Sequence, residues 1–163
     1  MTTQNTKNLW SAAQACLGAT GSLSVIMPAY GLETVIERNI ETVCRLLEGN
    51  IPFEVLPVDD GSRDGTATAI RRAAARDPDH VHPVFVQVNA GKGNALKCGF
   101  AAARGSHILL LDADLDLDPV RITTFFDIMA EKQAAIVIGS KRHPDSVIDY
   151  PWHRRLSSVI YYT

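Results

Sequence analysis

Cysteine is scarce in this chain, and its spacing excludes two kinds of site. The three cysteines, Cys16, Cys44 and Cys98, lie far apart and lack the paired spacing of zinc ligands. Nothing in that spacing indicates a disulfide framework either. We therefore expect buried thiols in a reducing compartment.

Long apolar runs and an excess of one charge are also lacking. We expect neither a signal peptide nor a membrane-spanning helix in this portion, because no apolar run has the required length. The formal net charge is only −2, so no overall field attracts nucleic acid.

A length of 163 residues with 46% hydrophobic residues predicts one globular domain with a real core. The last residues, 157–163, have a helical pattern, so we expect the front part of a longer protein.

Common nucleotide and nucleophile motifs are missing. Gly91-Lys-Gly93 begins like a dinucleotide fingerprint, but Leu96 occupies the position of the third glycine. The loop 61–66 lacks the lysine and the spacing of a P-loop. These two absences argue against hydride transfer and NTP hydrolysis. No Ser/His/Asp or Cys/His pattern indicates a covalent nucleophile.

What the sequence does contain is an alternation of strand and helix patterns. Strands are predicted over 23–29, 53–58, 82–88, 107–111 and 134–138, and helices over 33–48, 66–76, 94–104 and 119–132. This order predicts an α/β fold, a mostly parallel sheet with helices on both faces. A short helix over 10–17 is expected within an N-terminal extension of residues 1–22, and residues 23–163 form the domain.

The strand over 107–111 runs into aspartates at every second position. If the extended geometry continues, the first three of them lie on one face. Clustered carboxylates repel one another, and a divalent cation with a phosphate-bearing ligand relieves that repulsion. A solvated acidic loop is the alternative. The aspartates are Asp112, Asp114, Asp116 and Asp118.

Polar residues also follow the other strands, at the edge of the sheet where α/β folds bind ligands. Either Asp64 or one of Asp59 and Asp60 can bond the backbone of its turn, which leaves a carboxylate for ligand donors. Basic residues near this edge either form solvated surfaces or bind a diphosphate. They are Lys92, the cluster 141–143 and the pair Arg154-Arg155.

Together these residues resemble the inverting nucleotide-sugar glycosyltransferases of the GT-A fold, closest to the dolichyl- and polyprenyl-phosphate glycosyltransferases such as dolichol-phosphate mannose synthase. The resemblance covers about residues 23–162. It rests on five motifs in the family's order and spacing, at 24–30, 58–66, 89–95, 111–115 and 138–142.

The resemblance implies transfer of a hexose from a UDP- or GDP-sugar, with inversion and with Mg²⁺ or Mn²⁺, to a polyprenyl or dolichyl phosphate. It also implies a cytoplasmic location at the inner face of a membrane, and no nucleic-acid partner. Two alternatives stay open: an acceptor that is a sugar or a cell-envelope polymer, and a nucleotide-sugar-binding domain without turnover. A sugar-phosphate nucleotidyltransferase is disfavoured because Pro28-Ala-Tyr30-Gly31 lacks that class's glycine-rich, arginine-containing loop.

The resemblance also assigns residues. It implies that Asp112, Asp114 and Arg142 are catalytic and that Asp114 and Asp116 bind the metal. Gly31-Leu32 departs from the family, which often has Asn-Glu after the tyrosine, and Glu33 comes one position later. The implied nucleotide-sugar site comprises Pro28, Tyr30, Glu33, Val58, Asp59, Asp60, Asn89, Lys92, Gly93, Asp112, Ala113, Lys141, Arg142 and Arg155.

Overall fold

The computed structural model describes residues 9–139, which form an α/β sheet with flanking helices. The strands are β1 (Leu23–Ala29), β2 (Phe53–Asp60), β3 (Val84–Val86) and β4 (His107–Leu110). The α-helices are α1 (Ser11–Leu17), α2 (Ile36–Leu47), α3 (Thr66–Arg76), α4 (Lys92–Ala102) and α5 (Ile122–Lys132), and a 3-10 turn, Pro119–Arg121, precedes α5. None of these helices is long and apolar enough to cross a membrane.

All strand pairings in the sheet are parallel, and the strand order is β3-β2-β1-β4. The chain moves outward from β1 to β3 and then returns to the other side of β1 to form β4. This reversal leaves a crevice beyond the carboxyl ends of β1 and β4, which is where open α/β sheets bind ligands. The predicted mostly parallel sheet is confirmed.

Alternate residues of the central strands supply two apolar layers. Val25, Met27 and Val55 belong to the larger layer, which includes residues from α1, α2, α3 and α5. Ile26 and Val58 belong to the smaller layer beneath α4. Helices therefore cover both faces of the sheet.

Helix α1 packs against α5, and its side chains continue the larger apolar layer. Trp10, just before α1, is among the most completely buried large side chains. The core of the described region therefore includes part of the segment that precedes β1.

A buried carboxylate joins the elements at the end of the sheet opposite the crevice. Glu54 Oε1 accepts hydrogen bonds from Ser24 Oγ (2.5 Å) and from the Arg104 N–H (2.7 Å). Ser24 Oγ in turn accepts from the Gly105 N–H at 2.8 Å. Burial raises the pKa of Glu54, but these hydrogen bonds outweigh it, so its pKa lies below the ordinary value.

None of the three cysteines forms a disulfide. Cys44 is buried, as predicted, and burial raises its pKa to about 12. Cys16 and Cys98 are only partly buried.

The predicted fifth strand over 134–138 is wrong. The segment has no strand structure, and Ile136 and Ile138 are 78% and 80% exposed. A strand requires a hydrogen-bonded neighbour, and in residues 9–139 this segment pairs with none. The third strand is also shorter than predicted, because it covers only Val84–Val86. Before it, Val81 makes an isolated bridge to Val55.

Candidate functional site

A cavity of about 330 Å³ opens at the carboxyl ends of the central strands. Eight of the residues predicted to form the nucleotide-sugar or metal site line it: Pro28, Tyr30, Asp60, Asn89, Lys92, Asp112, Ala113 and Asp114. Four lining residues were not predicted: Ala29, Leu32, Gly91 and Ala95. Each of the four lies within or beside one of the five motifs, so the motifs could have indicated these residues as well.

Several predicted site residues lie outside the cavity lining. Val58 is fully buried in the apolar layer beneath α4. Asp59 is buried, and its Oδ1 accepts a hydrogen bond from the Ser62 N–H at 3.2 Å, which is a turn role. Gly93 is exposed in the first turn of α4. The structure therefore does not bring these three residues to the cavity.

Glu33 also serves the loops rather than the cavity. Its Oε2 accepts from the Gly65 N–H at 2.6 Å. Beside it, Thr66 Oγ1 accepts from the Leu32 N–H at 2.7 Å and Ser62 Oγ accepts from the Gly31 N–H at 3.1 Å. These bonds join the loops that follow β1 and β2. They form a wall next to Tyr30, which is half exposed and lines the cavity.

Asp60 fixes the loop that leads into α4. Its side chain is buried, Oδ1 accepts from the Ala90 N–H (3.2 Å) and Oδ2 accepts from the Gly91 N–H (2.8 Å). The next residue, Gly61, has φ +67°, and a Cβ there would come within 2.6 Å of the Asn89 nitrogen. This close approach of two loops requires glycine.

Lys92 is the first residue of α4, and its ammonium group forms an ion pair with Asp112 Oδ1. Both side chains are 61% exposed. The N-terminus of a helix favours negative charge. Lys92 and the start of α4 therefore present positive potential to the segment 112–118 after β4, which carries the four aspartates and is called the acidic loop below.

The acidic loop is a turn rather than an extension of β4. The Leu115 N–H donates to the Asp112 carbonyl at 3.1 Å, and Leu115 has φ +55°. The expected alternation of three aspartates on one face is therefore wrong, because the extended geometry ends before it can continue. Asp112 and Asp114 line the cavity and Asp116 does not. The role of Asp116 as a metal ligand stays a prediction.

The carboxylates at the cavity fit a hard divalent cation. Mg²⁺ is usually held by one or two carboxylates together with substrate phosphates and water. Asp112 and Asp114 are exposed and supply such oxygens, while residues 9–139 contain no cage of three or more protein ligands. Three carboxylates and one ammonium line the cavity, so an anionic ligand is repelled unless a cation accompanies it.

The predicted basic residues Lys141, Arg142, Arg154 and Arg155 lie outside the described residues. Their places near the phosphates stay predictions.

Comparison with protein families gives a match over most of the chain: the model of Glycosyl transferase family 2 matches residues 24–163. The chain belongs to this family. The predicted resemblance is thereby confirmed at family level.

Curated relatives in the family are longer than this chain. It is 36% identical over 141 residues to undecaprenyl-phosphate 4-deoxy-4-formamido-L-arabinose transferase of Pseudomonas paraeruginosa, covering 85% of this chain and 40% of that protein. It is 31% identical over 150 residues to glycosyltransferase AglD of Haloferax volcanii, covering 90% and 24%. The chain thus spans between about a quarter and two fifths of the length of these two relatives.

Solved structures of other glycosyltransferases share the fold. Mannosyltransferase PcManGT from Pyrobaculum calidifontis, in complex with GDP-Man and Mn²⁺, is 28% identical with a TM-score of 0.51, covering 66% of this chain and 34% of that one. Glucosyl-3-phosphoglycerate synthase from Mycobacterium tuberculosis, in complex with Mn²⁺, UDP and glucosyl-3-phosphoglycerate, is 26% identical with a TM-score of 0.57, covering 74% and 42%. These likenesses confirm the predicted GT-A fold.

Proposed function

We propose that the protein is a metal-dependent inverting glycosyltransferase that moves a hexose from a UDP- or GDP-sugar to a polyprenyl or dolichyl phosphate. The observation that carries this proposal is the meeting of Asp60, Lys92, Asp112 and Asp114 at one cavity, in a chain of Glycosyl transferase family 2. The described residues supply the donor side of the reaction.

The base and ribose are assigned to the wall formed by the β1 and β2 loops. The exposed ring of Tyr30 offers an aromatic face on which a base can stack. Asp60 already accepts two main-chain hydrogen bonds, but a carboxylate has about four acceptor positions. Its remaining capacity suits a ribose hydroxyl or a base N–H.

The diphosphate is assigned to the opposite wall. Asp114 is the proposed metal ligand, Asp112 is proposed to face the nucleotide, and Lys92, the ion-pair partner of Asp112 at the cavity, is proposed to bind the phosphates. Asp114 would hold Mg²⁺ or Mn²⁺, which when bound would neutralise charge on the leaving nucleoside diphosphate. Lys141, Arg142 and Arg155 are proposed to assist it.

The acceptor is proposed to be a lipid phosphate. Such a phosphate is already largely anionic at neutral pH, because its second pKa is about 6, so it needs no carboxylate base. A hydroxyl acceptor would need one. The Pseudomonas relative is named as an undecaprenyl-phosphate transferase, which supports this choice. A lipid acceptor implies that the full-length protein works at a membrane surface, and we propose that this is the cytoplasmic surface.

The donor site is tested by calorimetric titration of the purified chain with UDP and with GDP, each in Mn²⁺ and in EDTA. We expect one nucleotide to bind only with Mn²⁺ and binding to be lost in Asp114→Ala. Equal binding of that nucleotide in EDTA, or unchanged binding by the variant, would contradict the metal assignment.

The acceptor is tested with the full-length protein and a radiolabelled hexose donor. We expect the label to be transferred to undecaprenyl phosphate. Mild acid should then release the labelled sugar from the lipid, because it cleaves the bond between sugar and phosphate in a glycosyl phosphodiester. Transfer to a free sugar or to a cell-envelope polymer instead would establish the alternative glycosyltransferase. Nucleotide-sugar binding without transfer to any of these acceptors would indicate a binding domain without turnover.

A further inference from the structure

A buried amide connects helix α2 to the acidic loop. Asn39 lies on α2 and is only 6% exposed, between the apolar residues Ile36 and Ile40. Its Nδ2 donates a hydrogen bond to the Ala113 carbonyl oxygen at 2.9 Å, across 74 residues of sequence. A buried amide is costly unless it is hydrogen-bonded, so this contact accounts for a polar residue in an apolar helix face.

Ala113 is a buried attachment point of the acidic loop, in addition to the exposed Lys92–Asp112 ion pair and the packing of Leu115 against the core. Its side chain is buried, whereas Asp112 and Asp114 on either side are exposed at the cavity. The Leu115 to Asp112 hydrogen bond lies within the loop and cannot fix it to the sheet. The bond from Asn39 comes from another element and joins the loop to helix α2.

The Ala113 carbonyl that accepts this hydrogen bond belongs to the peptide unit that joins Ala113 to Asp114. Because a peptide unit is planar, fixing the direction of its carbonyl also fixes the direction in which the chain enters Asp114. Loss of this hydrogen bond would leave the Ala113 carbonyl unpaired in the interior and would free the peptide unit that enters Asp114 to change direction.

We propose that Asn39 is a positioning residue that holds Asp112 and Asp114 in the orientation needed to bind a divalent cation with a nucleoside diphosphate. The inference rests on the proposed function for its ligands, but the geometry it assigns exists in the ligand-free protein. Partners that orient metal ligands without touching the metal typically change metal affinity by about ten- to a hundredfold when they are removed.

The test compares Asn39→Leu, which removes the donor at nearly constant size, with Asn50→Leu. Asn50 is a matched control because its Nδ2 also donates to a main-chain carbonyl, that of Leu46, at 2.9 Å, but beyond the far end of α2. Asn39→Ala is measured as a second variant, so that one unfolded protein does not end the experiment.

Two readouts are used. Hydrogen–deuterium exchange of the ligand-free proteins should show the Leu115 amide exchanging about tenfold faster in both Asn39 variants, with the amides in the middle of α2 unchanged. Calorimetry should show the Mn²⁺-dependent affinity for UDP or GDP weakened about ten- to a hundredfold in the Asn39 variants and unchanged in Asn50→Leu.

The outcomes separate this inference from the proposed function. If folded Asn39 variants keep wild-type exchange in the acidic loop, the positioning role is wrong, whatever the protein binds. If exchange is faster but affinity is unchanged, the amide has a structural role only, and the inference fails. If the wild-type protein binds neither nucleotide, the proposed function fails and the exchange measurement alone decides the attachment of the loop.

Discussion

The Lys92 ammonium is paired with the Asp112 carboxylate, which joins the first residue of α4 to the first aspartate of the acidic loop. Both side chains are mostly exposed, so solvent screens the pair and its contribution to the free energy of unfolding is small. Its importance is that it holds a positive and a negative group at the same cavity before any ligand arrives. We expect a diphosphate with its cation to replace both partners.

Replacing Lys92 with glutamine should weaken nucleotide binding much more than it changes stability. We expect about a tenfold loss of Mn²⁺-dependent affinity for the nucleoside diphosphate, because a charge-assisted hydrogen bond is lost. The free energy of unfolding should change by less than about 0.5 kcal/mol. Calorimetry and urea unfolding measure the two quantities. Lys97→Gln, an exposed position on the same helix, is the control and should affect neither.

Replacing Asp60 with asparagine should destabilise the loop before α4. The buried carboxylate accepts hydrogen bonds from two main-chain N–H groups. In the variant, the amide NH₂ that replaces one oxygen would lie opposite one of these N–H donors, and neither group could accept. We expect a loss of about 2 kcal/mol in the free energy of unfolding, measured with urea. Asp59→Asn should cost much less, since its single accepted hydrogen bond can go to the amide oxygen. Equal losses in the two variants would contradict the loop assignment.

The contribution of Glu54 to stability should depend on pH. Its pKa is lower in the folded protein than the ordinary value of 4.5, so the unfolded chain binds more protons as the pH falls. The stabilisation is fully present above pH 4.5 and is lost as the pH falls through the folded-state pKa. We expect Glu54→Gln to be less stable than wild type by about 1–3 kcal/mol at pH 7.

That difference should shrink steadily below pH 4.5, because the Glu54 carboxyl group of the wild type becomes neutral first in the unfolded chain and then, below its lowered pKa, in the folded protein. Urea unfolding of both proteins between pH 3 and pH 7 provides the measurement. A difference independent of pH would mean that the hydrogen bonds of Glu54 do not depend on its charge.

Gly99 should not tolerate a side chain. It lies where α4 packs on the sheet, and a Cβ there would come within 2.4 Å of Ile26 Cγ2. We expect Gly99→Ala to lower the free energy of unfolding by about 1–3 kcal/mol through overpacking. Gly93→Ala is the control because nothing lies within 4 Å of its Cβ position, and helix propensity predicts a gain of up to about 1 kcal/mol. Thermal unfolding of both variants distinguishes the two effects.

Local patterns predicted the central part of the fold well. β1 was predicted with its observed bounds, and the alternation of strands and helices indicated a parallel sheet. The failure at 134–138 has a physical cause. An apolar β-branched run shows that a strand is possible, but whether a neighbouring edge pairs with it depends on tertiary structure.

The candidate site was predicted through its motifs and missed where contacts are long-range. The aspartate spacing suggested an extended segment, whereas the chain turns at Ala113, whose carbonyl accepts a hydrogen bond from Asn39 on α2. Nothing near Asn39 in the sequence indicates a partner 74 residues away. Likewise Glu33 and Asp59 have residue types suited to ligands, but loop N–H groups occupy them first.

The strand order also sets the sequence in which the two walls of the cleft can form. Ser24 of β1 and Glu54 of β2 are 30 residues apart, whereas Ser22 and Ser106, at the starts of β1 and β4, are hydrogen-bonded across 84 residues. Closing the longer loop costs more chain entropy, and distant pairings form more slowly. During synthesis from the N-terminus, the wall formed by the β1 and β2 loops, which is proposed to bind the base, can therefore fold while the acidic loop is still inside the ribosome.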